Sequence, residues 1–237
     1  MSVLIKENRD NYYMLNWLDE FMVGHKGFIC GGCFKNIFNN EKIKDLDIFF
    51  KCLKDCDEAK EYFDSMTAGH SDDVIEEAVS EEKAEYKFLY ENENVKAYIH
   101  KKTGVRIELC NKIFGTAEQI ISQFDFSITK FAYYKADVED ETGEEVEEKP
   151  FENDSKAETH IEYRVIYDDK FFEHLHLKRL VIDDKIPFPM STFERMLRYA
   201  KYGYFPCRET KLKLIRALNE LNSREIEVSE SLYKGWD

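Results

Sequence analysis

Apolar and polar positions change period several times along the chain. Tyr13, Leu15, Trp17, Leu18, Phe21 and Met22 recur at helical spacing, which predicts a first helix over 8–23, stopped at Gly24. Phe28–Cys30 is a short apolar run entering Gly31-Gly32, and Cys33–Phe38 opens a helix behind that turn. Residues 44–51 alternate and predict a strand, with a helix beginning over 57–66. A polar stretch follows, with a helix expected from Asp72 and a capping role for Ser80. Residues 86–89 and 95–100 read as strands, and Lys102-Thr103-Gly104 turns into a further strand at 105–109. Thr116 with Gln119 is a capping box for a helix over 116–124. Strands are predicted at 126–134 and 161–167, with an ambiguous segment at 171–182. Pro187 and Pro189 precede two helices, near 191–202 and 208–221.

This order of elements fits an α+β fold: a small mixed sheet with flanking helices and a helical C-terminal part. The proline break suggests residues 1–186 as one unit, carrying an acidic loop at 137–158, and 187–237 as a helical segment. The acidic stretch 138–155 reads as a solvated loop, with a hairpin turn at Thr142-Gly143. A length of 237 residues and a hydrophobic content of 43% suffice for a packed core. No apolar run approaches the roughly 18 residues of a membrane span, so none is expected. The first residues, Met1 to Glu7, lack a signal-peptide pattern. With six cysteines, that points to free thiols in a cytoplasmic setting. The net charge of −14 opposes a nucleic-acid-binding surface in general. The stretch 195–216 reverses this locally, with Arg195, Arg198, Lys201, Arg208, Lys211, Lys213 and Arg216 against Glu209 and the adjoining Glu194.

The candidate chemistry lies in the first quarter of the chain. Asp45 and Asp47 are two apart on a predicted strand and share one face, while Leu46 and Ile48 face a core. Two adjacent carboxylates repel unless a cation sits with them, and hard divalent ions favour such oxygen donors alongside substrate phosphates. Gly31 and Gly32 lack a Cβ and would let a backbone approach a phosphate.

Gly31-Gly32, a short spacer and Asp45-Leu46-Asp47 resemble the signature of the nucleotidyltransferase superfamily, the polymerase-beta-like fold. The match is nearest to the head domain of CCA-adding enzymes and bacterial poly(A) polymerases. Lys35 stands where that family has arginine, and Asn36 where it has aspartate. Gln123-Phe124-Asp125-Phe126-Ser127-Ile128-Thr129 is similar to the family's second motif without its arginine pair. In the wider superfamily, Phe124-Asp125-Phe126 is similar to the strand bearing a third carboxylate. Glu194 to Ala200 resembles an arginine-spaced helix.

The resemblance implies a nucleotidyl transfer from a nucleoside triphosphate to an acceptor hydroxyl on an RNA end, a protein or a small molecule. Asp45, Asp47 and Asp125 would hold magnesium or manganese. Gly31, Gly32, Cys33 and Lys35, with Arg195 and Arg198, would bind the nucleotide. The alternative is a catalytically silent domain of the same fold that binds a protein or nucleic acid. Two further clusters compete for attention. Cys30, Cys33, Cys52 and Cys56 have a spacing that could close a zinc site at the expense of the phosphate turn. His174 and His176 would share one side of a strand.

Overall fold

The structure is a computed structural model and describes residues 3–67, 83–137, 161–183 and 186–221. The helix expected from Asp72, the cap at Ser80 and the acidic loop with its hairpin turn lie outside the described residues. Ten strands and six α-helices follow one another among the described residues. The strands are β1 (Leu4–Asn8), β2 (Phe28–Cys30), β3 (Asp45–Phe50), β4 (Tyr86–Glu91), β5 (Val95–His100), β6 (Arg106–Phe114), β7 (Phe131–Asp137), β8 (Ile161–Asp168), β9 (Arg179–Leu180) and β10 (Phe205–Pro206). The helices are α1 (Cys33–Phe38), α2 (Leu53–Ser65), α3 (Ala117–Ser122), α4 (Phe171–His176), α5 (Pro189–Lys201) and α6 (Arg208–Glu220).

Eight strands form one mixed sheet in the order β1-β8-β7-β2-β3-β6-β5-β4. Its neighbours run antiparallel except β3 and β6, which are parallel. Parallel neighbours need a crossover connection, here supplied by α2 and the β4–β5 hairpin. Side chains alternate across the sheet. Ile29, Leu46, Ile48, Ile107 and Leu109 enter the larger core with Phe34 of α1 and Phe63 of α2. Cys30 and Phe49 enter a smaller core on the other side, beneath Ala117, Ile120 and Ile121 of α3. Asp45 and Asp47 therefore share the face of Phe49, which α3 covers near its centre.

Thr116 caps α3 as expected, accepting the Gln119 N–H while the Gln119 side chain accepts the Thr116 N–H. Three expectations are corrected. The first helix is a 3₁₀ helix at Tyr13–Met22, preceded by a 3₁₀ turn at Arg9–Asn11. The segment 126–134 is not one strand: Phe126 makes an isolated bridge to Ile182, Ser127–Thr129 is a 3₁₀ turn, and β7 begins at Phe131. Local side-chain bonds explain the break, since the Phe126 N–H donates to Asp125 and the Thr129 hydroxyl donates to the Phe126 carbonyl. His174 and His176 lie on α4 rather than on a strand, and the Ser127 hydroxyl is 2.7 Å from Nδ1 of buried His174.

The C-terminal helices are tied to what precedes them. Strand β10 pairs with β9, the Thr210 hydroxyl donates to the Leu180 carbonyl, and Arg195 pairs with Asp125.

Candidate active site

Strand register assembles the acidic face. In the β3–β6 ladder Asp45 is opposite Arg106 and Asp47 is opposite Glu108. All four side chains emerge on the same side. Nη2 of Arg106 donates to Oδ2 of Asp45 at 3.1 Å. Its Nε lies 2.7 Å from Oε1 of Glu108, but the N–H is not aimed at that oxygen and is left buried without a hydrogen bond. The Tyr90 hydroxyl donates to the same Glu108 oxygen at 3.2 Å.

Burial holds the Asp47 carboxyl well above the usual carboxylate range, and the charges of Glu108 and Asp45 push it further the same way, with Arg106 opposing. Glu108 is also raised, chiefly by burial, while Arg106 and Tyr90 pull it back. The Asp47 and Glu108 carboxyls lie close enough to perturb each other. Three carboxyl groups thus meet one guanidinium.

The glycine turn lies over this face. Gly31 has φ +98°, a conformation that suits glycine, and a Cβ there would stand 3.5 Å from Oδ2 of Asp47. The Gly31 N–H donates to the Phe131 carbonyl and so is already used. Gly32 is the N-cap of α1, and a Cβ on it would come within 2.9 Å of the Tyr199 hydroxyl from α5. Cys33 is buried in the first turn of α1, and burial pushes its thiol up. Burial and the Asp125 carboxylate likewise raise the Tyr199 phenol, with a smaller contribution from Asp47.

Other candidate residues have different partners. The Lys35 ammonium is buried, 3.1 Å from Glu41 and over the rings of Tyr202 and Tyr204 at 5.2 and 5.7 Å. It joins α1 to the C-terminal segment. Asp125 is not on a strand and its carboxylate receives Nε of Arg195 at 2.8 Å. Arg198 is exposed. Cys30, Cys33 and Cys56 are buried while Cys52 is exposed, and all six cysteines are free thiols.

Among the described residues no group of three or more His, Cys, Asp or Glu is arranged as it stands to hold a metal ion. That applies to the four cysteines, to Asp45 and Asp47 taken with Asp125, and to Asp45 and Asp47 taken with Glu108. Glu108 has a better claim than Asp125 to stand beside the paired aspartates. Sequence reasoning missed it because only the β3–β6 pairing brings it there. The alternation of Arg106 and Glu108 against Ile107 and Leu109 was the available signal. The donor set fits a hard cation: it is all oxygen, carries excess negative charge, and already attracts the Arg106 guanidinium as a stand-in.

The model of the Gabija anti-defense 2 family matches residues 8–178. The chain belongs to the Gabija anti-defense 2 family. Among solved structures, this family member is similar to a CCA-adding enzyme in complex with ATP, with 13% identity, a TM-score of 0.54, and coverage of 95% of this chain and 50% of the other. A CCA-adding enzyme with CTP gives 14% identity, a TM-score of 0.52, and coverage of 97% and 50%. The Thermotoga maritima CCA-adding enzyme complexed with tRNA gives 12% identity, a TM-score of 0.50, and coverage of 91% and 46%. These likenesses show that the chain shares its fold with part of those CCA-adding enzymes. The chain spans about half the length of those enzymes. No curated protein matches it. No helix among the described residues is long and apolar enough to cross a membrane.

Proposed function

We propose that this chain transfers a nucleotidyl group from a nucleoside triphosphate to an acceptor hydroxyl, using a divalent cation held by Asp45, Asp47 and Glu108. The β3–β6 register carries the reading, because it puts three carboxylates on one face beneath a glycine turn. Bound magnesium or manganese would supply charge neutralisation for the phosphates and the leaving pyrophosphate. The rest falls to the chain's own residues. The backbone at Gly31, Gly32 and Cys33 would border the phosphates. Arg195, positioned by Asp125, and exposed Arg198 would face the nucleotide from α5. A carboxylate of Asp47 or Glu108 would take the proton of the acceptor hydroxyl as its oxygen bonds to the α-phosphorus and the bond to pyrophosphate breaks.

Asp125 is better suited to positioning Arg195 than to holding the metal, since its carboxylate is already committed. The family's description points to a target in the Gabija defence, as an acceptor or as a bound partner. The free thiols support a reducing, cytoplasmic setting.

The test is incubation with each labelled triphosphate, magnesium or manganese, and a pool of RNA and protein acceptors, beside Asp47→Asn. Label transferred by the parent chain and not by the variant is expected. No transfer by the parent under any combination would leave the second reading, a silent binding domain. That reading draws support from the Arg106 bridge and from the Gly31 and Lys35 groups already satisfied within the protein.

A further inference from the structure

We infer that Arg106 is a built-in counter-cation, which occupies the acidic face when no metal is bound and must leave it before a divalent ion can enter. The inference rests on the assignment of Asp45, Asp47 and Glu108 as the metal-holding acids.

Arg106 reaches two of the three carboxylates from one strand position, Asp45 at 3.1 Å and Glu108 at 2.7 Å. A metal ion bridging Asp45 and Glu108 would stand between the two carboxylates, where the guanidinium now stands. The two cations are therefore alternatives. The contact is suited to exchange rather than to permanent structure. The Arg106 side chain is 40% exposed, so a path to solvent is open to it. Its Nε–H is poorly aimed and unsatisfied where it lies, so departure costs less than leaving an ideal fork-to-fork pair. The register explains why some cation is needed: with Arg106 gone and no metal, three carboxyl groups would crowd one face of β3 and β6 with no positive charge among them. The arrangement also explains why the acids do not form a ready-made metal group, since they are spread around a guanidinium.

Manganese binding to the purified full chain, followed by electron paramagnetic resonance, tests this without reference to turnover. Arg106→Gln is expected to tighten manganese binding roughly tenfold at neutral pH, the scale of a partly exposed ion-pair network. Lys44→Gln is the control. It removes a neighbouring positive charge that has no ion pair among the described residues, and it should leave the affinity at the parent value. Equal or weaker manganese binding by folded Arg106→Gln, with the parent chain binding normally, overturns the counter-cation and leaves the metal site standing. An equal gain in Lys44→Gln also overturns it, because general charge would then account for the effect. Absence of manganese binding in both the parent and Arg106→Gln overturns the metal assignment itself. If Arg106→Gln does not fold, Arg106→Lys decides. Its ammonium is a point charge that does not span two carboxylates. Tighter manganese binding than the parent supports the proposal, and equal or weaker binding refutes it.

Discussion

His25 joins the 3₁₀ helix at Tyr13–Met22 to strand β2 through both ring nitrogens. Its Nδ1 accepts the Gly27 N–H at 3.0 Å, which leaves Nε2–H to donate to the Phe21 carbonyl at 2.8 Å. A second proton has no acceptor there, and burial lowers the imidazole from 6.5 to about 4. Because the folded value lies below the unfolded one, the stability this residue supports is fully present above pH 6.5. It is lost as pH falls toward 4, where the unfolded chain alone has taken up the proton. The loss is on the order of 3 kcal/mol. His25→Gln keeps an acceptor and a donor without a titrating group, so its melting temperature should fall less steeply between pH 6.5 and 4. Parallel curves for the two proteins would exclude His25 as the source. At the acidic face, Asp47→Asn puts a neutral amide in place of a carboxyl whose charged form is disfavoured by burial, Glu108 and Asp45. Metal-free protein carrying it should melt no lower than the parent at neutral pH, and higher by about 2–4 °C if the relief reaches ~1 kcal/mol. It should lose the manganese response. A large drop in melting temperature would show that Asp47 holds the fold together rather than a cation.

Helix α5 meets the glycine turn at a single close approach, and the turn's composition follows from it. Gly32 has no room for a methyl group because the Tyr199 hydroxyl fills that space. Gly32→Ala should therefore destabilise the protein by roughly 1–3 kcal/mol, as overpacking does. Tyr199→Phe removes the clashing oxygen and should recover part of the loss, giving a non-additive double-mutant cycle in thermal melts. Strict additivity would mean that Gly32 is fixed by something other than α5. This contact bears on how much the sequence reveals. The turn, α1, β3 and the Thr116–Gln119 capping box are legible because each is written in a few adjacent residues. Asp45 and Asp47 are legible for the same reason. Glu108, Arg106 and Tyr199 are not, since their place at the site depends on a parallel strand pairing and a helix docking across long separations. The strand expected at Asp125 is the instructive error: Phe-Asp-Phe alternates like a strand, yet hydrogen bonds at Asp125, Thr129 and Val181 convert it into a turn.

Charge is divided unevenly over the whole molecule. The net value is −14, yet α5, α6 and the segment between them expose Arg198, Lys201, Arg208, Lys211 and Arg216. Interleaved with these are exposed Leu197, Tyr202, Phe205, Leu212 and Ile215. Basic side chains alternating with apolar and aromatic ones suit a single-stranded nucleic acid, which offers phosphates to the first and base faces to the second. Lys213 does not belong to this set, because its ammonium is 2.9 Å from Glu209 and donates to the Ile182 carbonyl. If the acceptor is RNA, the double reversal Lys211→Glu and Arg216→Glu should weaken RNA binding while leaving triphosphate affinity within about twofold, since both are far from the acidic face in sequence and no hydrogen bond or ion pair among the described residues links them to it. Counterion release supplies a sharper readout. Each lost phosphate contact lowers the slope of log affinity against log salt by about 0.7 for a single strand, so the pair should lower it by about 1.4. Filter binding of a single-stranded RNA between low and moderate salt measures both quantities. An unchanged slope, or no RNA retained at low salt by the parent chain, would mean that these charges solvate a helix pair and that the acceptor is a protein or a small molecule.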